Sequence, residues 1–208
     1  ARLAMLDDGH TELEDHNGEF DDGLFPMALN NHPSGGVDGH RVSTAEAFLD
    51  AKTRARPNLE IWPHSQVERV LFDGTRVTGV AMRRHGNHQT LNARHVVLSC
   101  GAFHTPTMLM RSGIGSAADL KSHGIDVVAD RSGVGHGLQD HPTVTLVTHI
   151  KRSLRMPPNM RRHIHLGLRY SSNLEGCPPG DMFALANNRG GWHPLGHLLG
   201  GFVVCVNK

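Results

Sequence analysis

The sequence predicts an α/β body followed by an antiparallel layer. Three observations lead there. Short alternating segments after Leu59 are separated by strong turn signals, Asp73-Gly74 and His85-Gly86-Asn87-His88. Val96-Val97-Leu98 has no polar face and reads as a strand covered on both sides, as in a parallel sheet. From Thr143 onward the apolar residues alternate again, at Val144, Leu146 and Ile150.

The elements follow in chain order. Residues 1–42 carry little periodic pattern, and Asp21-Asp22-Gly23 and Pro33-Ser34-Gly35-Gly36 mark turns. A patternless stretch of this length suits an extended excursion over a larger body. Arg41 to Lys52 predicts the first helix, with Ser43 as N-cap and Glu46 completing a capping box. Ala47, Phe48 and Ala51 form its apolar stripe, and Arg56-Pro57-Asn58 ends it. Leu59 to Trp62, Gln66 to Phe72, Arg76 to Arg84 and Thr90 to Ser99 are the expected strands, the first three forming a meander attached to the last.

Cys100-Gly101-Ala102 breaks the last strand, and Pro106 is placed near the first turn of the next helix. A small-residue turn between a buried strand and a helix N-terminus is where α/β proteins hold anionic or dinucleotide ligands. Ser112-Gly113 closes that helix. Ala117 to His123 is a second short one, stopped by Gly124, and Ile125 to Val128 is a brief extended piece. Ile164 to Tyr170, Met182 to Ala186 and Phe202 to Val206 are expected strands of the antiparallel layer, with a loop at Pro157-Pro158. The domain change is placed near residue 142, giving 1–142 and 143–208.

Composition narrows the function. The chain has 208 residues, with 21 Lys+Arg against 20 Asp+Glu. A formal charge of +1 gives no case for a nucleic-acid partner, which calls for a strongly basic face. No apolar run approaches the roughly 20 residues of a membrane-spanning helix, and no signal peptide opens the sequence. Three scattered cysteines suit neither a disulfide framework nor a zinc site, so a reducing, cytoplasmic setting is the default. The chain starts at Ala1 and ends in a strand-like run without a cap, and is expected to be a fragment of something longer.

No catalytic constellation emerges from the pattern. The 17 histidines are scattered, and neither His85-x-x-His88 nor His193-x-x-x-His197 has the helical context of a zinc pair. No metal is assigned. Gly133-x-Gly135-x-Gly137 has the wrong spacing for a dinucleotide fingerprint, and there is no phosphate-binding P-loop. Asp140 and His141 are adjacent and do not form a base-and-orienter pair. Tyr170, Phe183 and Trp192 are read as core packing rather than pocket lining.

Three stretches nevertheless resemble the glucose–methanol–choline (GMC) oxidoreductase family. They are Gly101-Ala102-Phe103-His104-Thr105-Pro106-Thr107-Met108-Leu109-Met110-Arg111-Ser112-Gly113-Ile114-Gly115, Gly133 to Pro142, and Arg41-Val42-Ser43-Thr44-Ala45 with Phe48-Leu49 before Arg56-Pro57-Asn58-Leu59. The resemblance runs from about residue 14 to residue 208, and points to choline-dehydrogenase-like and alcohol-dehydrogenase-like bacterial members. It implies a flavoenzyme that binds FAD and oxidises a small-molecule alcohol, with hydride passing to flavin N5. The electron acceptor of the full-length protein would be a quinone or oxygen. It further implies a Rossmann-like FAD domain and an antiparallel substrate domain, only partly present here. The N-terminal fingerprint would lie upstream and the catalytic histidine downstream, so the isolated chain is expected to be inactive.

Carried over by position, the backbone of Val67 resembles the site that meets the adenine. Ser99, Cys100, Gly101 and Ala102 resemble the turn beside the adenosine, where Gly101 is taken to permit close backbone approach. Cys100 stands where the family commonly has alanine. Asp140, His141 and Pro142 resemble the stretch near the isoalloxazine, as structural or cofactor-proximal residues and not catalytic ones. Gly137 replaces the family's usual asparagine and loses an amide able to tie down the loop or cofactor. A dehydrogenase, a peroxide-producing oxidase and a non-catalytic binding module all remain open on these residues, as do the oligomeric state and peripheral membrane attachment of the full-length protein.

Overall fold

The computed structural model describes residues 2–18, 20–32, 40–155, 164–189 and 194–206. The expected turn at Pro33 to Gly36, the loop at Pro157-Pro158, Trp192 and His193 lie outside them. The chain divides into two compact units. One joins Ala1–Thr53 to His141–Lys208; the other is Arg54–Asp140.

The first unit is built on a five-stranded antiparallel sheet. Its strands are β1 (Gly23–Pro26), β7 (Thr143–His149), β8 (Ile164–Tyr170), β9 (Met182–Asn187) and β10 (Leu199–Val206). They lie in the order β1-β8-β9-β10-β7. The strands expected after residue 142 appear in place, each paired antiparallel with a neighbour. Leu24, Leu168 and Ala184 form the buried cluster, packed by Met5 and Leu6 of helix α1 (Arg2–Asp7) and by Tyr170 and Val204. The segment before residue 42 is more ordered than its composition suggests. β1 pairs with β8 from Gly23 opposite Arg169 to Pro26 opposite Leu166, and Pro26, lacking an N–H, sits on an edge strand where that is tolerated.

The helix expected over Arg41 to Lys52 is split into α2 (Thr44–Phe48) and α3 (Ala51–Arg54). Ser43 caps α2 as expected, its hydroxyl accepting from the Glu46 N–H at 3.2 Å. Asp50 causes the split: its carboxylate accepts the Thr53 N–H at 2.7 Å and starts a new helix.

The second unit carries a three-stranded antiparallel sheet, β2 (Ser65–Asp73), β3 (Arg76–Arg84) and β4 (Asn87–Asn92), in sequence order. Its turns are those the sequence marks. His85 and Gly86 both have positive φ, 49° and 85°, as a two-residue hairpin demands. Helix α4 (Gly101–Arg111) packs on β2, and α5 (Ala117–Ser122) follows the short strand β5 (Ile114–Gly115), which pairs in parallel with β6 (Ala129–Asp130).

Three expectations fail here. Leu59 to Trp62 is not a strand: the Leu59 N–H bonds back to the Arg56 carbonyl at 3.2 Å, and Pro63 follows at once. β4 stops at Asn92, and Val96-Val97-Leu98 forms no strand. No described strand pairs with that segment, and without a partner an apolar run makes no ladder; Val97 is left 87% exposed. Finally, α4 begins at Gly101, so Pro106 sits in its second turn rather than near its first.

Candidate functional site

Six of the residues singled out by sequence lie in the second unit: Val67, Ser99, Cys100, Gly101, Ala102 and Asp140. Val67 is half-buried on β2, an edge strand, opposite Met82. The β2–β3 ladder is irregular between Val67 and Arg69, which re-aims the backbone beside Val67. Farther along β2, the Val70 N–H donates to Ser112 Oγ at 2.9 Å, tying the strand to the end of α4.

Ser99, Cys100, Gly101 and Ala102 form an exposed turn at the other end of that helix. No side chain caps α4 at Cys100. The Cys100 N–H donates to Thr105 Oγ1 at 3.0 Å, but the first-turn amides of the helix have no intrahelical acceptor. Gly101 has φ of +85°, and a Cβ there would meet nothing within 4 Å. The requirement for glycine shown here is therefore left-handed backbone rather than crowding by protein atoms. An uncapped N-terminus of an 11-residue helix, behind a glycine that leaves open space, suits an anionic or dinucleotide ligand.

Asp140 closes the second unit; His141 and Pro142 open the return into the first. All three are exposed. The Pro142 carbonyl accepts the Val206 N–H at 3.2 Å, and His141 Nδ1 lies 3.1 Å from the Val206 carbonyl. A carbonyl only accepts, so Nδ1 carries the hydrogen and the neutral ring keeps its acceptor lone pair on Nε2.

His141 lines a cleft of about 530 Å³ in the first unit, together with His16, Phe20, Arg169, Phe183 and Cys205. The strand register explains the sheet-borne part. Arg169 and Cys205 each lie opposite Phe183 on neighbouring strands, so all three side chains share one face. Behind the cleft wall, His16 stacks on Phe25 at 5.1 Å between ring centroids, and Phe25 tilts against Phe183 at 5.5 Å. A larger cleft of about 770 Å³ is lined by Ile150, Leu154, Leu166 and Phe202 among others, but holds none of the residues singled out by sequence.

Near the cleft, Asp181 accepts the Ser172 N–H at 2.7 Å and the Ser172 hydroxyl at 2.7 Å. These bonds, the backbone one foremost, hold its carboxyl below the usual aspartate range.

The sequence profile of GMC oxidoreductase matches residues 14–143. The chain belongs to the GMC oxidoreductase family. It is 39% identical over 188 residues to 5-(hydroxymethyl)furfural oxidase of Methylovorus sp. (strain MP688), covering 88% of this chain and 34% of that protein. It is 37% identical over 178 residues to oxygen-dependent choline dehydrogenase of Burkholderia vietnamiensis (strain G4 / LMG 22486), covering 84% of this chain and 31% of the relative. The chain thus spans about a third of the length of these relatives. Pyridoxine 4-oxidase from Mesorbium loti shares the fold with a TM-score of 0.82 at 24% identity, covering 98% of this chain and 40% of that one. A formate oxidase structure superposes with a TM-score of 0.77, also at 24% identity. Among the described residues of this GMC chain, no helix is long and apolar enough to cross a membrane.

The sequence reading missed His16, Phe20, Arg169, Phe183 and Cys205 as cleft residues. Phe183, expected as core, faces the cleft while Tyr170 packs in the core. Period-two alternation along β8 was a usable signal for Arg169, whereas β9 and β10 are apolar on both faces and gave none for Phe183 or Cys205. Nothing local announced His16 and Phe20, which a long-range pairing brings in.

Proposed function

We infer that this chain supplies the adenosine-side turn and part of the substrate wall of an FAD-dependent oxidoreductase acting on an alcohol. The observation that carries this is the uncapped N-terminus of α4 behind Gly101, with φ of +85° and open space in front, in a chain of the GMC family. FAD, when bound, would accept hydride from the carbinol carbon. The Val67 backbone would hold the adenine edge, and Ser99, Cys100, Gly101 and Ala102 the adenosine. Asp140, His141 and Pro142 would flank the isoalloxazine side. His141 Nδ1, held by the Val206 carbonyl, would fix the imidazole as a wall of the substrate cleft. The cleft is lined by Phe20, Phe183 and two histidines, which favours a flat, ring-bearing alcohol. The names of both curated relatives carry oxygen, as "oxidase" and "oxygen-dependent", and support oxygen as the acceptor here. A cytoplasmic setting goes with this reading.

The test is made on the full-length protein that contains these residues. Purified protein should show bound flavin by its visible spectrum and consume oxygen with aromatic or heteroaromatic primary alcohols. Protein that folds but neither retains FAD nor turns over any alcohol, with oxygen or with a quinone acceptor, would refute the reading.

A further inference from the structure

We propose that Arg169 is a positioning residue that clamps the outer wall of the 530 Å³ cleft onto the sheet. The clamp follows from contacts within this chain; its consequence for substrate rests on the function proposed above. Arg169 is only 3% exposed. None of the ion pairs among the described residues involves it. A guanidinium taken out of water this far has to be engaged by other groups.

Those groups come from a distant part of the sequence. Nη2 donates to the His16 carbonyl at 2.8 Å, and Nη1 to the Asp21 carbonyl at 3.4 Å. The guanidinium carbon lies 3.7 Å from the Phe20 ring centroid and 5.7 Å from that of Phe25, within cation–π range of both rings. Ser171, two residues on and therefore on the same face, repeats the tie. Its N–H and hydroxyl donate to the Asp22 carboxylate at 2.9 and 3.0 Å. A Cβ at Gly180 would meet Phe20 at 2.9 Å and Arg169 at 3.0 Å, so the strand approach is shaped to admit this stack.

What the clamp holds gives it a role beyond stability. Phe183, Leu185, Cys205 and Arg169 reach the cleft from the sheet. His16, Asn17, Gly18 and Phe20 reach it from the segment that the guanidinium grips. Loss of the grip leaves the sheet standing and releases that one wall. The side chain then sets substrate affinity through the residues it holds.

The experiment compares Arg169→Met and Arg169→Lys with wild type in the full-length flavoprotein. Methionine keeps much of the volume and loses every donor; lysine keeps the charge but cannot reach both carbonyls. Amide hydrogen exchange of residues 16–22 should accelerate roughly ten- to a hundredfold in Arg169→Met, the factor that goes with one lost charge-assisted bond. KM for the alcohol should rise by about tenfold or more with kcat nearly unchanged, the signature of lost uniform binding, and Arg169→Lys should fall between. Unchanged exchange in a folded Arg169→Met overturns the clamp. Faster exchange with unchanged KM overturns the positioning role. If Arg169→Met does not fold, Arg169→Lys is read on the same segment by the same criteria. Wild-type protein without alcohol turnover would refute the function proposed above, while the exchange measurement still decides the clamp.

Discussion

Ser112→Ala should destabilise the second unit by about 1–3 kcal/mol, the penalty for orphaning a buried donor. The Ser112 side chain joins two elements. Its hydroxyl accepts the Val70 N–H at 2.9 Å and donates to the Met108 carbonyl at 2.6 Å. Ser112 is 6% exposed and Val70 is 7% exposed, so water cannot readily replace the hydroxyl. The two lost bonds are not equal. The Met108 carbonyl still receives the Ser112 backbone N–H at 3.1 Å. The Val70 N–H lies on an edge strand, where its bond goes to the Ser112 hydroxyl, so it carries nearly all of the penalty. For a unit of this size the penalty corresponds to a drop in Tm of about 5–20 °C. Urea unfolding monitored with exchange of the Val70 amide measures both parts. The midpoint should fall at unchanged slope, and Val70 protection should drop more than that of its strand neighbours. A loss of unfolding free energy below about 0.3 kcal/mol with Val70 still protected would show that the hydroxyl does not bridge strand and helix.

Three further outcomes follow from single positions. Gly101→Ala should cost about 1–2 kcal/mol, because φ of +85° is left-handed, and in the full-length protein it should weaken FAD retention; wild-type stability in urea refutes the first part. Gly137→Asn should be nearly neutral for stability, since asparagine tolerates φ of +70°, while the restored amide slows loss of flavin on dialysis; an unchanged loss rate refutes it. Asp181 binds its proton less tightly folded than unfolded, so its contribution is full above the ordinary aspartate range and is lost as pH falls through the lowered native value. Asp181→Asn should flatten that acid limb, and a variant with the wild-type slope over roughly pH 5 to 2 counts against the Ser172 bonds as its source.

The parts of the fold that were legible are those whose causes are local. Asp73-Gly74 and His85-Gly86 specify turns through backbone conformations that few residues adopt, and β3 then runs from Arg76 to Arg84 as the sequence indicates. Ser43 and Glu46 mark a helix start through a bond three residues long. The failures share a different cause. Val96-Val97-Leu98 has the composition of a covered strand, yet composition states what a segment needs and not whether a partner strand is at hand. β1 looks like loop because its partner β8 lies about 140 residues further on, and no window along the sequence contains both.

The candidate site divides along the same line. The Ser99 to Ala102 turn was legible because a helix start and a left-handed glycine are adjacent in sequence. His141 was legible only as a neighbour of Asp140 and Pro142; its place in the cleft depends on the Val206 carbonyl, 65 residues away. The cleft wall is still less local. Arg169 reads as an ordinary charged residue in an alternating strand until β1 draws the preceding segment across β8. Then the guanidinium meets two carbonyls and two phenyl rings, from His16, Asp21, Phe20 and Phe25, some 150 residues earlier in sequence. A buried arginine that no ion pair among the described residues engages is uncommon enough that its contacts indicate what it is for. Here they are all to one segment, and that segment lines the same cleft as His141. The Ser99 to Ala102 turn is thus a property of adjacent residues, while the cleft beside His141 is a property of topology.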